Sequence, residues 1–178
     1  HTLFQFLMHK NPSLRLESLV IFGNICSLNN QHHIESIMNF GLLDNIINLV
    51  NDTEDCQLCS FWIIENLTKD PKYIQRIIDS DLFLSVIEKL WTGKYKIGLN
   101  ALRVLSNGID NCSEEQSKYF FTNNAVFDTL CSMPMATHYA SAQMTNICKE
   151  AAVIIIDHFA NQYIAKMNDC VLICYQNK

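Results

Sequence analysis

An apolar helical segment returns four times along this chain, at a spacing too regular for an ordinary globular core. The copies are LRLESLVIFGNICS (14–27), CQLCSFWIIENLTK (56–69), GLNALRVLSNGID (98–110) and KEAAVIIIDHFA (149–160). Aligned on their last polar residue, they put Asn24, Asn66, Asn107 and Asp157 in one column, at intervals of 42, 41 and 50 residues. Core columns also run across the copies: Leu16, Leu58 and Leu99; Leu19, Phe61, Leu102 and Ala152; Phe22, Ile64, Leu105 and Ile155. Any one helix can be apolar on its own account, but matched apolar columns mean that the copies stack on one another.

A period near 42 residues in an all-helical pattern is the signature of an armadillo or HEAT solenoid. The expected fold is all-α: a right-handed armadillo solenoid of about three and a half three-helix repeats with a C-terminal cap, forming one domain. Residues 1–28 are the end of a partial repeat, broken at Asn11-Pro12-Ser13, where Pro12 disfavours helix at Asn11 and Ser13 can cap the next helix. Residues 29–69 form a repeat whose first helix carries Ile34, Ile37 and Met38. Its second carries Leu42, Leu43, Ile46, Ile47 and Val50, and an acidic turn at 52–55 leads to the third. Residues 70–111 repeat the plan from Asp70-Pro71, with Ile74, Ile77 and Ile78 in the first-helix columns. Gly41, Asp81 and Asn124 fall at the same joint, where a left-handed residue is wanted. The repeat at 112–161 opens with Ser113 and Gln116 at capping-box spacing. It places Phe120 and Phe121 in the Ile77 and Ile78 columns, and its longer turn at 134–141 accounts for the 50-residue interval. Residues 162–178 read as a capping helix or tail.

Composition agrees with this plan. The chain of 178 residues is 49% hydrophobic and 17% charged, enough apolar material for a continuous core and too much for disorder. Five glycines and three prolines favour long helices with short joints. A formal charge of −5 argues against nucleic acid, whose protein footprint is a basic patch. It is compatible with a basic peptide, and equally with simple solubility. The eight cysteines lie among apolar residues, as at Cys26, Cys131 and Cys148, which is how buried free thiols sit in a reducing compartment. No apolar run approaches the ~18 residues that span a bilayer, and no signal peptide is visible, so no membrane partner is expected. His1 stands where a natural start has methionine, so the chain reads as a fragment or a processed form from the cytoplasm or nucleus.

The functional signal lies off the core columns. Trp62 and Asn66 are four residues apart and share one helical face, and Asn24 and Asn107 repeat the asparagine. Periodic polar residues at matched positions are not a requirement of packing. FWIIENL around Trp62 and Asn66, Gly23-Asn24, ALRVLSN before Gly108 and CSEEQSKYF from Cys112 resemble the importin α family, the adaptors that carry basic nuclear-localisation peptides. The resemblance covers 14–160 and matches the C-terminal half of the family's array. It implies a groove in which asparagine amides bond the backbone of an extended peptide and indole faces cover the stems of lysine and arginine. Trp62, Asn66, Asn24 and Asn107 match the ladder positions. Val20, Arg103 and Val153 stand where further tryptophans are expected, and Cys59 and Asn100 where the family places glutamate. Arg103 would repel a basic peptide, so a cargo site that keeps its asparagines and loses its selectivity is expected. Partners implied by the resemblance are localisation-signal cargo, importin β and the export receptor that recycles the adaptor, the last through a surface within 113–163.

Other readings are weighed by their residues. Cys56 and Cys59 have a zinc-like spacing without a second pair to complete it, His32 and His33 are adjacent and diverge on a helix, and Cys170 and Cys174 form only a loose pair. His138, His158 and Cys148 could be imagined as a hydrolase set, yet no nucleophile elbow or phosphate loop accompanies them. Glu114, Glu115, Asp52, Glu54 and Asp55 read as turn and N-cap carboxylates. The expectation is a non-enzymatic binding protein without cofactor or metal. Its alternatives are an armadillo scaffold unrelated to nuclear import and, remotely, a thiol or metal-dependent enzyme. An exposed end repeat leaves apolar surface through which a homodimer could form.

Overall fold

The computed structural model describes residues 2–90 and 94–122. Asn124, the turn at 134–141, the fourth copy with Ala152, Val153, Ile155 and Asp157, and the stretch 162–178 lie outside the described residues, as do the side chains of Glu114, Phe120 and Phe121. The helices, in order, are α1 (Thr2–Leu7), α2 (Pro12–Ser27), α3 (Gln31–Asn39), α4 (Leu42–Leu49), α5 (Glu54–Leu67), α6 (Pro71–Asp79), α7 (Leu82–Lys89), α8 (Tyr95–Asn111) and α9 (Glu114–Thr122). There is no strand among the described residues.

Local chemistry sets the boundaries. Pro12 occupies the first turn of α2, where its missing N–H is no loss, and holds Asn11 extended at φ −80° and ψ 117°. The carboxamide of Asn11 therefore accepts from the Ser13 backbone N–H at 3.0 Å. The cap is Asn11 rather than Ser13, which lies inside the turn. Asp70 caps α6 in the same way, accepting from the Lys72 N–H at 2.9 Å with Pro71 behind it. Ser113 and Gln116 close a reciprocal capping box: the Ser113 N–H donates to Gln116 Oε1 at 3.0 Å and the Gln116 N–H to Ser113 Oγ at 3.2 Å.

Gly41 precedes α4 at φ +84° and Asp81 precedes α7 at φ +55°, so the joint between first and second helices is left-handed in both repeats. Glycine takes this conformation freely, whereas a Cβ costs about 1–2 kcal/mol there. Gly41→Ala is thus expected to destabilise by about that amount. Asp81→Gly should be neutral or stabilise by up to about 1 kcal/mol, because strain relief is offset by the greater freedom of glycine in the unfolded chain. Urea midpoints that shift in the same direction for both variants would contradict this account of the joint.

The helices α2, α5 and α8 stack into one layer, α2 on α5 and α5 on α8. The shorter helices pack behind: α1 against α2, α4 against α5 and α7, α7 against α8, and α6 against α7 and α9. The core lies between the layers and includes Leu19, Phe61 and Leu102 in one column and Phe22, Ile64 and Leu105 in the next. Leu16, Leu58 and Leu99, which the pattern placed in the core, are half-buried at its rim. A further column shows the stacking directly. Ile63 and Val104 are fully buried, while Ile21, the equivalent residue on α2, is 45% exposed because no described helix lies on that side. Covering an isoleucine contributes roughly 1.5–3 kcal/mol, so each repeat is stabilised by its neighbour.

Polar ties cross the same joints. The Arg15 guanidinium forms a forked pair with Asp52, with Nη2 to Oδ1 at 2.7 Å, and also donates to the His9 carbonyl at 2.7 Å. Lys72 pairs with Glu35 at 2.6 Å, Arg76 donates to the Met38 carbonyl at 3.0 Å, and Gln116 donates to the Pro71 carbonyl at 2.8 Å. The hydrogen bond from Arg15 holds the Asp52 carboxyl below its ordinary range. A depressed carboxylate adds stability that is fully present above its unfolded pKa, about 3.9, and is lost as pH falls through the folded value. Wild type should therefore lose stability on acidification below about pH 4 more steeply than Asp52→Asn. Parallel curves of urea midpoint against pH would show that the pair contributes nothing.

Candidate functional site

One side of the α2–α5–α8 layer is covered by the shorter helices and the other meets solvent. On the solvent side stand Glu17, Val20 and Asn24 of α2, Cys59, Trp62 and Asn66 of α5, and Asn100, Arg103 and Asn107 of α8. Asn24 and Arg103 are exposed, and Val20, Trp62, Asn66 and Asn107 are half-buried. The expected site residues therefore share one face, three helices wide.

Trp62 does not stand free on that face. A Cβ added at Gly23 would fall onto the six-membered ring of its indole, with Cη2 at 3.1 Å and Cε3 and Cζ3 closer still. The ring lies against the bare backbone of α2, and buried Gly23 is the seat that makes room for it. A glycine inside a helix costs about 1 kcal/mol against alanine, so its presence at mid-helix was the available signal of a close approach.

The asparagines divide. The Asn66 Nδ2 donates to the Trp62 carbonyl at 2.8 Å, and its Oδ1 accepts from Lys69 Nζ at 2.9 Å. The Asn107 Nδ2 reaches across to the Glu65 backbone carbonyl of α5 at 3.2 Å, tying the two helices together, and the Asn107 backbone carbonyl accepts from the Asn111 Nδ2 at 2.8 Å. The exposed amide of Asn24 makes no hydrogen bond within the described residues. A carboxamide carries two N–H donors and two acceptor lone pairs. Asn66 thus keeps one donor and one lone pair for a ligand, and Asn107 keeps one donor and its whole oxygen. These internal bonds hold the amides in place, and sequence spacing alone did not reveal them.

Cys59 and Asn100 occupy the positions where glutamate was expected. Asn100 donates to the Lys96 carbonyl at 2.8 Å. Burial raises the Cys59 thiol, with the nearby Cys56 and Asp55 adding to it; it likewise raises Cys112, and pushes Cys26 up to about 12. A thiol raised by burial is a poor nucleophile at neutral pH. No group of three His, Cys, Asp or Glu among the described residues could hold a metal ion. His138, Cys148, His158, Cys170 and Cys174 lie outside the described residues. No described helix is long and apolar enough to cross a membrane.

No protein-family model matches the chain, and no curated protein sequence does. Solved structures do. A designed armadillo repeat protein in complex with the peptide (KR)4 matches with a TM-score of 0.77 at 18% identity, covering 98% of this chain and 71% of that one. A computationally designed armadillo repeat protein for modular peptide recognition gives 0.74 at 17% identity, covering 96% and 69%. A third designed armadillo repeat protein gives 0.74 at 18% identity with the same coverage. At such identities the likeness is one of fold: the chain is an all-α armadillo-repeat solenoid.

Proposed function

We propose that this armadillo solenoid is a protein-interaction module that takes an extended peptide across the solvent face of α2, α5 and α8. The observation that carries this reading is the column of Asn24, Asn66 and Asn107 beside Trp62, with hydrogen-bonding capacity left over on each amide. An extended chain brings unpaired backbone N–H and C=O groups that such amides can meet. The indole adds a large apolar platform for a side-chain stem. The designed protein of the same fold that holds (KR)4 supports an extended ligand in this kind of framework.

The finer reading is a divergent importin α-like adaptor that moves between cytoplasm and nucleus and binds localisation-signal cargo, with importin β or an export receptor as its transport partner. It rests on the resemblance around Trp62, Asn66, Asn24 and Asn107. Arg103 and Cys59 depart from the expected ladder and weaken its preference for basic cargo. A scaffold unrelated to import is the other binding reading, and it needs only the fold and the asparagine column.

The test is fluorescence anisotropy with dye-labelled octapeptides of basic, neutral and acidic composition. Trp62→Ala is expected to weaken the best of them about tenfold or more, the effect of losing an aromatic anchor, and Asn66→Ala somewhat less. Unchanged affinity in both variants, with helix content retained, would move the function to another face. Recovery of importin β or an export receptor from nuclear-cytoplasmic extract, with cargo released by a basic localisation peptide, would support the adaptor over the general scaffold.

A further inference from the structure

We infer that the α8 end of this face selects an acidic side chain in the bound peptide, and that Arg103 is the residue that reads it. The inference rests on the extended-peptide reading above. Arg103 stands on α8 in the column that Trp62 fills on α5. It is exposed, and its guanidinium makes neither a hydrogen bond nor an ion pair within the described residues. Other charged side chains of the structure are tied across repeats: Arg15 to Asp52, Lys72 to Glu35 and Lys94 to Glu54. Arg103, like Lys96, has no such tie among the described residues.

The spacing fits one ligand. Stacked helices lie about 8–10 Å apart, and an extended chain repeats its same-side residues about every 6.6–6.8 Å. A peptide that lays one side chain on Trp62 therefore brings another to Arg103 two or three residues further on, its backbone passing Asn66 and Asn107. The guanidinium fork matches a carboxylate with two parallel N–H···O bonds, which a lysine or arginine of the ligand cannot accept. Charges of both signs flank Arg103, so the preference rests on its spare guanidinium. Lys96 and Asp110 are exposed on α8 two turns before and two turns after Arg103 and offset one another, and Lys69 sits at the Asn66 amide. Of the carboxylates on α5, Glu65 forms no ion pair with Arg103 and has its backbone carbonyl held by Asn107, Glu54 is tied to Lys94, and Asp55 is exposed in the Lys96 column, two turns from the Arg103 position. Glu17 lies two helices away on α2, at the other end of the face. The ligand is thus an extended peptide with an acidic residue at the α8 end, and not a uniformly basic one.

The experiment measures binding of dye-labelled (Glu-Ser)4 and (Lys-Ser)4 octapeptides to the whole chain at low and physiological salt. Wild type should bind (Glu-Ser)4 about fivefold or more tightly than (Lys-Ser)4, the margin narrowing as salt screens the exposed charge. Arg103→Glu should reverse the order and Arg103→Ala should abolish it; the residue is exposed, so both variants should retain helix content and unfolding midpoint. Trp62→Ala should weaken both peptides while keeping their order. Equal affinities, a preference for (Lys-Ser)4, or a preference that survives Arg103→Glu would overturn the inference, while Trp62-dependent binding would leave the peptide face standing. Failure of both peptides to bind in a Trp62-dependent way would overturn the two together.

Discussion

Phe61→Ala is expected to lower the unfolding free energy by about 3–5 kcal/mol, the range for removing a phenyl ring from a close-packed core. Phe61 is fully buried on α5, between the α2 layer-mate that carries Leu19 and the α8 layer-mate that carries Leu102. Its helix packs on both of those and on α4, so little can collapse into the space left behind. Domains of ordinary stability have about 5–15 kcal/mol in total, so the loss is a large share of what holds the fold. In a solenoid the consequence is also spatial. Each repeat leans on its neighbours, and weakening the middle one should separate the unfolding of the α2 side from that of the α8 side. Urea denaturation monitored by circular dichroism should show an earlier and broader transition. A single sharp transition at the wild-type midpoint would place Phe61 outside the core.

The second large effect comes from the opposite fault. Gly23→Val adds three carbons where the Trp62 ring already lies, and overpacking of this kind costs about 1–3 kcal/mol. The gain in helix propensity on replacing glycine, under about 1 kcal/mol, does not offset it. Removing the indole should restore the room, so Gly23→Val combined with Trp62→Ala should be more stable than the sum of the single changes predicts, by about 1 kcal/mol or more. The same valine should also weaken peptide binding with every ligand-facing residue intact, because the indole leaves its seat. Strict additivity of the two changes in urea unfolding would show that the contact does not couple them.

Sequence spacing reports periodic burial and local backbone chemistry well, and lateral fit poorly. The repeat could be read because burial is periodic: Leu19, Phe61 and Leu102 recur at the interval at which the third helices stack. The left-handed joints at Gly41 and Asp81 and the Ser113–Gln116 box were equally legible, since each depends on a few adjacent residues. Asn11 displaced Ser13 as the cap because a single proline shifted the boundary by two residues, a difference that periodicity does not resolve. The common face of the candidate residues was legible in outline. Trp62, Asn66, Asn24, Asn107 and Arg103 do share one face. What spacing could not give was their commitments: Asn66 to its own helix and to Lys69, Asn107 to Glu65, and Trp62 to Gly23. Those depend on side-chain rotamers and on how two helices meet side by side. The Arg15–Asp52 tie was hidden for the same reason, joining residues from different repeats.

The hydrogen bonds that join one repeat to the next, from Arg15–Asp52 to Gln116–Pro71, bridge between 37 and 45 residues of sequence. That separation is set by the repeat and not by the length of the chain. Relative contact order therefore falls as such an array grows, and with it the entropic barrier that slows proteins built from distant pairings. A chain wired this way can be lengthened or shortened by whole repeats without relearning how to fold. Each unit finds its partner within one period, and ordering can spread outward from whichever repeat closes first.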